Sequence, residues 1–112
     1  MASLNTIFDL LSEKRRRYVL YYLEEQGESV PVDELVETVA DWESSASGND
    51  IPADKFREVE ISLVHTDLPK TANVEFIEYD VNEKMVKING TSPEFDTIIN
   101  LAKIIEEPES EE

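Results

Sequence analysis

The sequence predicts a mainly α-helical domain with one small β-hairpin, an α+β class. Three observations carry this. Apolar residues recur at helical spacing in successive stretches along the chain. Two short runs, "FIEYD" and "MVKIN", alternate apolar and polar residues on either side of "VNEK". The composition of the 112 residues, 32% charged and 40% hydrophobic, is that of a folded chain with enough material for one core.

"LNTIFDLL" opens with Leu4, Ile7, Phe8 and Leu11 at i, i+3, i+4 and i+7, an amphipathic helix. Ser12 is the expected N-cap of a second helix, which carries Tyr18, Val19, Tyr22 and Leu23 inward. Gly27 is a suitable residue to end it. "SVPV" is long enough for one extended pairing. Asp33 is the expected cap of a third helix, with Leu35, Val36, Val39, Ala40 and Trp42 as its apolar stripe. "ESSASGND" is polar and small, and reads as a loop.

Pro52 is expected to open the next helix, with Phe56, Val59, Ile61, Leu63, Val64 and Leu68 on a wide apolar face. Pro69 is expected to kink or interrupt it. In the hairpin, Ile77, Tyr79, Val86 and Ile88 share one face. Ser92 followed by Pro93 is a cap with proline at the first helical position. The last helix sets Phe95, Ile98, Ile99, Ala102 and Ile105 on one side. Residues 1–106 thus form a single domain, and 107–112 read as an acidic disordered tail.

Three helices followed by a hairpin is the winged helix-turn-helix arrangement. Here a further helix stands at each end, a common dimerisation addition. The outer helices support that use, because Leu4, Ile7, Phe8 and Leu11, with Phe95, Ile98, Leu101, Ala102 and Ile105, are apolar on more than one face. A homodimer through these residues is expected; the alternative is that the two helices pack on one another within the monomer.

The charge balance bounds the partners. Ten Lys and Arg face 26 Asp and Glu, a formal charge of −16. Such a surface repels phosphates unless salt screens it, and at molar salt the Debye length falls to about 3 Å. Four of the ten cations stand in a row, Lys14 to Arg17, in "EKRRRYVLYYL". Consecutive helical residues point about 100° apart, so the four cannot share one face. Lys14 and Arg17 can project together, while Arg16 suits a buried pair with a carboxylate. There is no cysteine, which removes disulfides and thiol chemistry. One histidine and three glycines leave no Cys/His pair and no phosphate-cradling loop. His65 and Asp67 are two metal-ligand types, too few for a site. An enzyme is not expected, nor a cofactor. No apolar run approaches the roughly 18 residues of a membrane span, and the opening stretch lacks a signal-peptide pattern. A cytoplasmic protein is expected.

Two segments resemble a known group. "LSEKRRRYVLYYL" is similar to the first core helix of a large family of winged helix-turn-helix proteins from halophilic archaea. "ISLVHTDLPKTANVEFIEYD" resembles that family's second signature through Ile61, Ser62, Leu63, His65, Leu68, Pro69, Lys70, Tyr79 and Asp80. The two cover about a third of the chain. Asp67 stands where the family usually has a second histidine, Thr71 where a leucine packs the helix end, and Glu75 where a glycine ends the helix. The resemblance implies a winged-helix fold and the role of a DNA-binding regulator. Asp67 puts an anion near the helix that would face DNA.

The residues expected to meet DNA are Lys14, Arg15 and Arg17 at the basic run, and Lys55, Ser62, His65, Thr66 and Lys70 on the recognition helix. Lys84 and Lys87 join them on the wing. Each also has an ordinary reading: a solvated helix start, a histidine bonded inside the domain, the lysines of any soluble hairpin. The expected function is a transcriptional regulator that binds duplex DNA as a dimer in high salt. The alternative is a protein-interaction module on the same fold that binds another regulator and does not contact DNA. A contiguous positive strip around the basic run would favour DNA. Cations neutralised by neighbouring carboxylates would favour the alternative.

Overall fold

The computed structural model describes residues 4–45, 53–71, 77–89 and 91–106, the side chains of Ser45, Ala53, Lys70 and Thr71 excepted. Most of the expected loop "ESSASGND", Pro52, Glu75 and the acidic tail lie outside the described residues. The elements run α1 (Leu4–Leu11), α2 (Lys14–Gln26), β1 (Val30–Pro31), α3 (Val32–Ser45), α4 (Ala53–Ser62), a π-helical turn (Leu63–Asp67), α5 (Leu68–Thr71), β2 (Ile77–Asp80), β3 (Met85–Ile88) and α6 (Pro93–Glu106). The fold is mainly helical with a small antiparallel sheet, an α+β arrangement. No helix among the described residues is long and apolar enough to cross a membrane.

α2 is the central element. Tyr18, Val19, Leu20, Tyr21 and Leu23 are all buried, so the helix is covered nearly all round. α1, α3, α6 and β3 pack against it. Trp42 of α3 meets Tyr18 edge-on, with ring centroids 5.7 Å apart. α2 ends at Gly27, whose φ of 67° lies in the left-handed region and whose N–H reaches Leu23 O at 3.1 Å.

The start of α2 differs from expectation. Glu13, not Ser12, holds the cap position, and its side chain makes no capping bond. Ser12 instead donates its hydroxyl to Asp9 O at 2.7 Å and closes α1. α3 likewise begins at Val32, one residue ahead of Asp33, because β1 runs straight into it. The Val32 N–H goes to Lys84 O at 2.9 Å rather than to a cap. Asp33 and Glu34 fall in the first turn, where their charge suits the helix dipole.

The α-helix is interrupted just before Pro69, as expected. Leu63 to Asp67 form a π-turn, with the Leu68 N–H bonded to Leu63 O. A proline ring crowds the carbonyl four residues back, and the widened turn just before it makes room. The sheet order is β1-β3-β2, with Val30 opposite Val86 and Ile77 opposite Ile88. Ile77, Val86 and Ile88 are buried on one face with Tyr79 half-buried beside them, as their alternation predicts. Pro31 sits on an edge strand, where a missing donor costs least. The last helix is capped as expected: Ser92 Oγ accepts from the Phe95 N–H at 3.1 Å.

Candidate functional site

The basic run is absorbed by the fold in three directions. Arg16 is buried, and its guanidinium caps α1, with Nε donating to Leu10 O at 3.0 Å and Nη2 to Asp9 O at 2.8 Å. Arg17 adds Nη1 to Leu11 O at 2.5 Å. The carbonyls of the last turn of an α-helix have no partner within the helix; the two arginines serve those of Leu10 and Leu11 and join Ser12 on that of Asp9. Arg17 also holds the Glu106 carboxylate of α6 at two points, both at 2.9 Å. Arg15 turns the other way and grips Glu43 of α3, Nε to Oε2 and Nη2 to Oε1, each at 2.6 Å, with Glu58 of α4 at 3.3 Å. Lys55 joins the same Glu43 at 2.7 Å. Lys14 stays exposed, its ammonium 5.5 Å from the Tyr18 ring centroid.

The carboxylates respond. Burial raises the Glu43 carboxyl, but hydrogen bonds from Arg15 and Lys55 outweigh it and hold the group below its ordinary value. Glu106 behaves likewise: burial opposes ionisation, and Arg17 and Tyr21 overcome it. Asp67 goes the other way. It is buried in the π-turn, and burial raises its carboxyl although Ser62 Oγ donates to Oδ2 at 2.8 Å and Arg16 Nη1 stands 3.9 Å from Oδ1. A contact that long returns less than desolvation removes.

The expected DNA-contact residues do not converge on one strip. Lys14, Arg15, Lys55 and Ser62 line one hollow together with Glu13, Glu43 and Asp67. His65 and Lys84 line a second, between α4 and the hairpin, with Asp33 and Glu60. Lys87 lines a third with Glu78, Asp80 and Glu83. Thr66 is exposed, and the Lys70 side chain lies outside the described residues. Ser62 is occupied by Asp67, so it is not a free donor. Lys84 closes the hairpin turn with a φ of 56°, a conformation a non-glycine residue seldom adopts. His65 and Asp67 face different hollows, so they do not form a metal pair.

The residues expected at a dimer interface divide. Ile7, Leu11 and Phe95 are spent in the protomer's own core, and Ile98 and Ala102 pack partly against it. Leu4, Phe8, Leu101 and Ile105 are more than half exposed, and Ile104 joins them. Sequence reasoning missed the partners of the basic run, Glu43, Glu58 and Glu106. Among 26 acidic residues, nothing local marks these three. It also missed Ile61 and Val81 as exposed apolar residues, since Ile61 fits the helical stripe and Val81 borders a strand.

A family model described as a domain of unknown function, DUF7344, matches residues 8–87. The chain belongs to that family. The DUF7344 match runs from α1 through most of β3, so it contains the whole basic run and the α4–hairpin face; α6 lies beyond it. No curated protein and no solved structure matches the chain.

Proposed function

We propose that this DUF7344 protein is a non-enzymatic regulatory module of winged helix-turn-helix type, acting as a homodimer in a salt-rich cytoplasm, and that it binds another regulator in place of duplex DNA. The connectivity supports the winged-helix reading. α2, β1, α3 and α4 are followed by a hairpin whose second strand pairs with β1 in the order β1-β3-β2. In this reading α4 is the recognition helix and β2–β3 the wing. The exposed apolar residues Leu4 and Phe8 of α1 and Leu101, Ile104 and Ile105 of α6 support a dimer through these helices.

One observation carries the choice of partner: Arg15, Arg17 and Lys55 are each bonded to a carboxylate of this same chain. A guanidinium already matched at two points by a carboxylate adds little net charge for a phosphate to find. Binding a phosphate there would mean giving up a short, partly desolvated pair. DNA remains the second reading, favoured by the exposed side chains of Arg57, His65, Thr66 and Lys84 on α4, the π-turn and the wing. Titration of genomic DNA fragments into the full chain in about 2 M potassium chloride tests the choice, since only contact-range charge survives such screening. The protein-binding reading expects no saturable complex. Saturable binding lost in Lys14→Ala and Arg17→Ala would restore the DNA reading.

A further inference from the structure

The geometry points to the cleft between α4 and the β2–β3 hairpin as the docking groove for a basic partner segment that inserts a branched aliphatic side chain. This rests on the protein-binding reading above. Large apolar side chains exposed by more than half fall into two groups among the described residues. Leu4, Phe8, Leu101, Ile104 and Ile105 belong to α1 and α6. Ile61, 52% exposed, and Val81, 65% exposed, come from α4 and the hairpin turn. Both line one groove of about 380 Å³, with half-buried Val64 and Tyr79. Two elements distant in sequence therefore bring exposed aliphatic carbon to a single hollow. A recognition helix that read base edges would present mainly neutral or basic donors there; here His65 is joined by the acid Glu60 and by aliphatic Ile61 and Val64. An aliphatic side chain seated between Ile61 and Val81 would remove both from water.

Charge selects the occupant. The groove carries Asp33 and Glu60, and the hollow on the adjoining side of the hairpin carries Glu78, Asp80 and Glu83. Against these five carboxylates stand two lysines, Lys84 and Lys87. Neither Asp33 nor Glu60 is ion-paired among the described residues. A duplex would bring phosphates against them, and a second copy would bring a surface of formal charge −16. A segment with Lys or Arg flanking its aliphatic anchor meets both demands. At molar salt the fit depends on cations touching Asp33 or Glu60 directly, because the Debye length there is about 3 Å.

The test follows the methyl signals of Ile61, Val64 and Val81 in the full chain by NMR, in about 2 M potassium chloride. The probes are three short synthetic peptides: isoleucine and leucine anchors flanked by lysines, the same anchors flanked by glutamates, and the lysines with the anchors replaced by serine. The lysine-flanked anchor peptide should shift the groove methyls saturably, and the other two should bind at least tenfold more weakly. Ile61→Asp and Val81→Asp should each abolish the shift; both sites are exposed, and a dispersed amide spectrum verifies folding. Ile104→Asp should leave it intact. If no peptide moves the groove methyls, if all three bind alike, or if only α6 methyls respond, the groove proposal is overturned and the protein-binding reading stands. If a DNA duplex saturably shifts the same methyls, both are overturned.

Discussion

Arg17 and Glu106, 89 residues apart in sequence, meet as a two-point pair: Nε donates to Oε1 and Nη2 to Oε2, both at 2.9 Å. Tyr21 donates its hydroxyl to the same Oε1 at 2.8 Å, and Arg17 Nη1 reaches back to Leu11 O. One guanidinium thus ties the end of α1, the body of α2 and the end of α6. Glu106→Ala removes the acceptor for three donors. It should lower stability by about 2 kcal/mol, read as a fall in melting temperature, because hydrogen bonds to a charged group are worth about 1.5–3 kcal/mol each and water repairs part of the loss. An unchanged melting temperature would mean that α6 is held by its apolar face alone.

The carboxylates give a pH dependence with a defined sign. Glu43 and Glu106 have folded-state values held below the ordinary carboxylate value by their cations. Their contribution is present above the unfolded value and is lost as pH falls through the folded one. Asp67 is raised by burial, so it opposes the trend: its ionised form costs stability at neutral pH, and protonation relieves that cost. Chemical unfolding from pH 7 downward should show acid destabilisation in the parent. The acid limb should be weaker in a Glu43→Gln, Glu106→Gln double variant. Asp67→Asn, which keeps an acceptor for Ser62, should be neutral or stabilising at pH 7.

Arg16 and Lys14 are two residues apart and should behave differently. Arg16→Ala removes the donor to Leu10 O and one of the donors to Asp9 O, and leaves Asp67 without its buried cation, at a cost of about 3 kcal/mol. Lys14→Ala removes only an exposed ammonium near a ring, and should stay within about 0.5 kcal/mol. Thermal melts of the two variants under one salt condition decide this.

Self-association should depend on α6. Ile104→Asp or Ile105→Asp should give a monomer in sedimentation, since a charge at the centre of an apolar contact must be desolvated without a partner. The same change at Ile7 or Phe95 would unfold the protomer instead, because both belong to its core. A parent chain that already sediments as a monomer removes the dimer.

Salt should stabilise the fold. With formal charge −16, low ionic strength leaves carboxylate repulsion unscreened. The melting temperature should be higher in about 2 M than in about 0.1 M potassium chloride. Equal values would remove the halophilic reading.

Particular residues show how much was legible in advance. The alternation of Ile77, Tyr79, Val86 and Ile88 is a local period, and the hairpin follows it. Gly27 and the Ser92-Pro93 pair are local chemistry, and both helix ends fall there. Ser12 failed as a cap because its hydroxyl is turned back onto α1, and Asp33 because α3 already begins at Val32. Asp9 O drew in Ser12, and Lys84 O drew in the Val32 N–H.

The sequence by itself determined the order of helices and strands, the core-facing stripes and the excess of apolar residues on the outer helices, because each is written in neighbours a few positions apart. Only the tertiary structure decided what the four cations of "EKRRR" do. Arg15 meets Glu43 across 28 residues and Arg17 meets Glu106 across 89, while Arg16 turns back onto the end of α1. A charge in a sequence has a sign but no partner. The fold assigns the partner by bringing distant groups within about 3 Å, where desolvation makes the pairing selective.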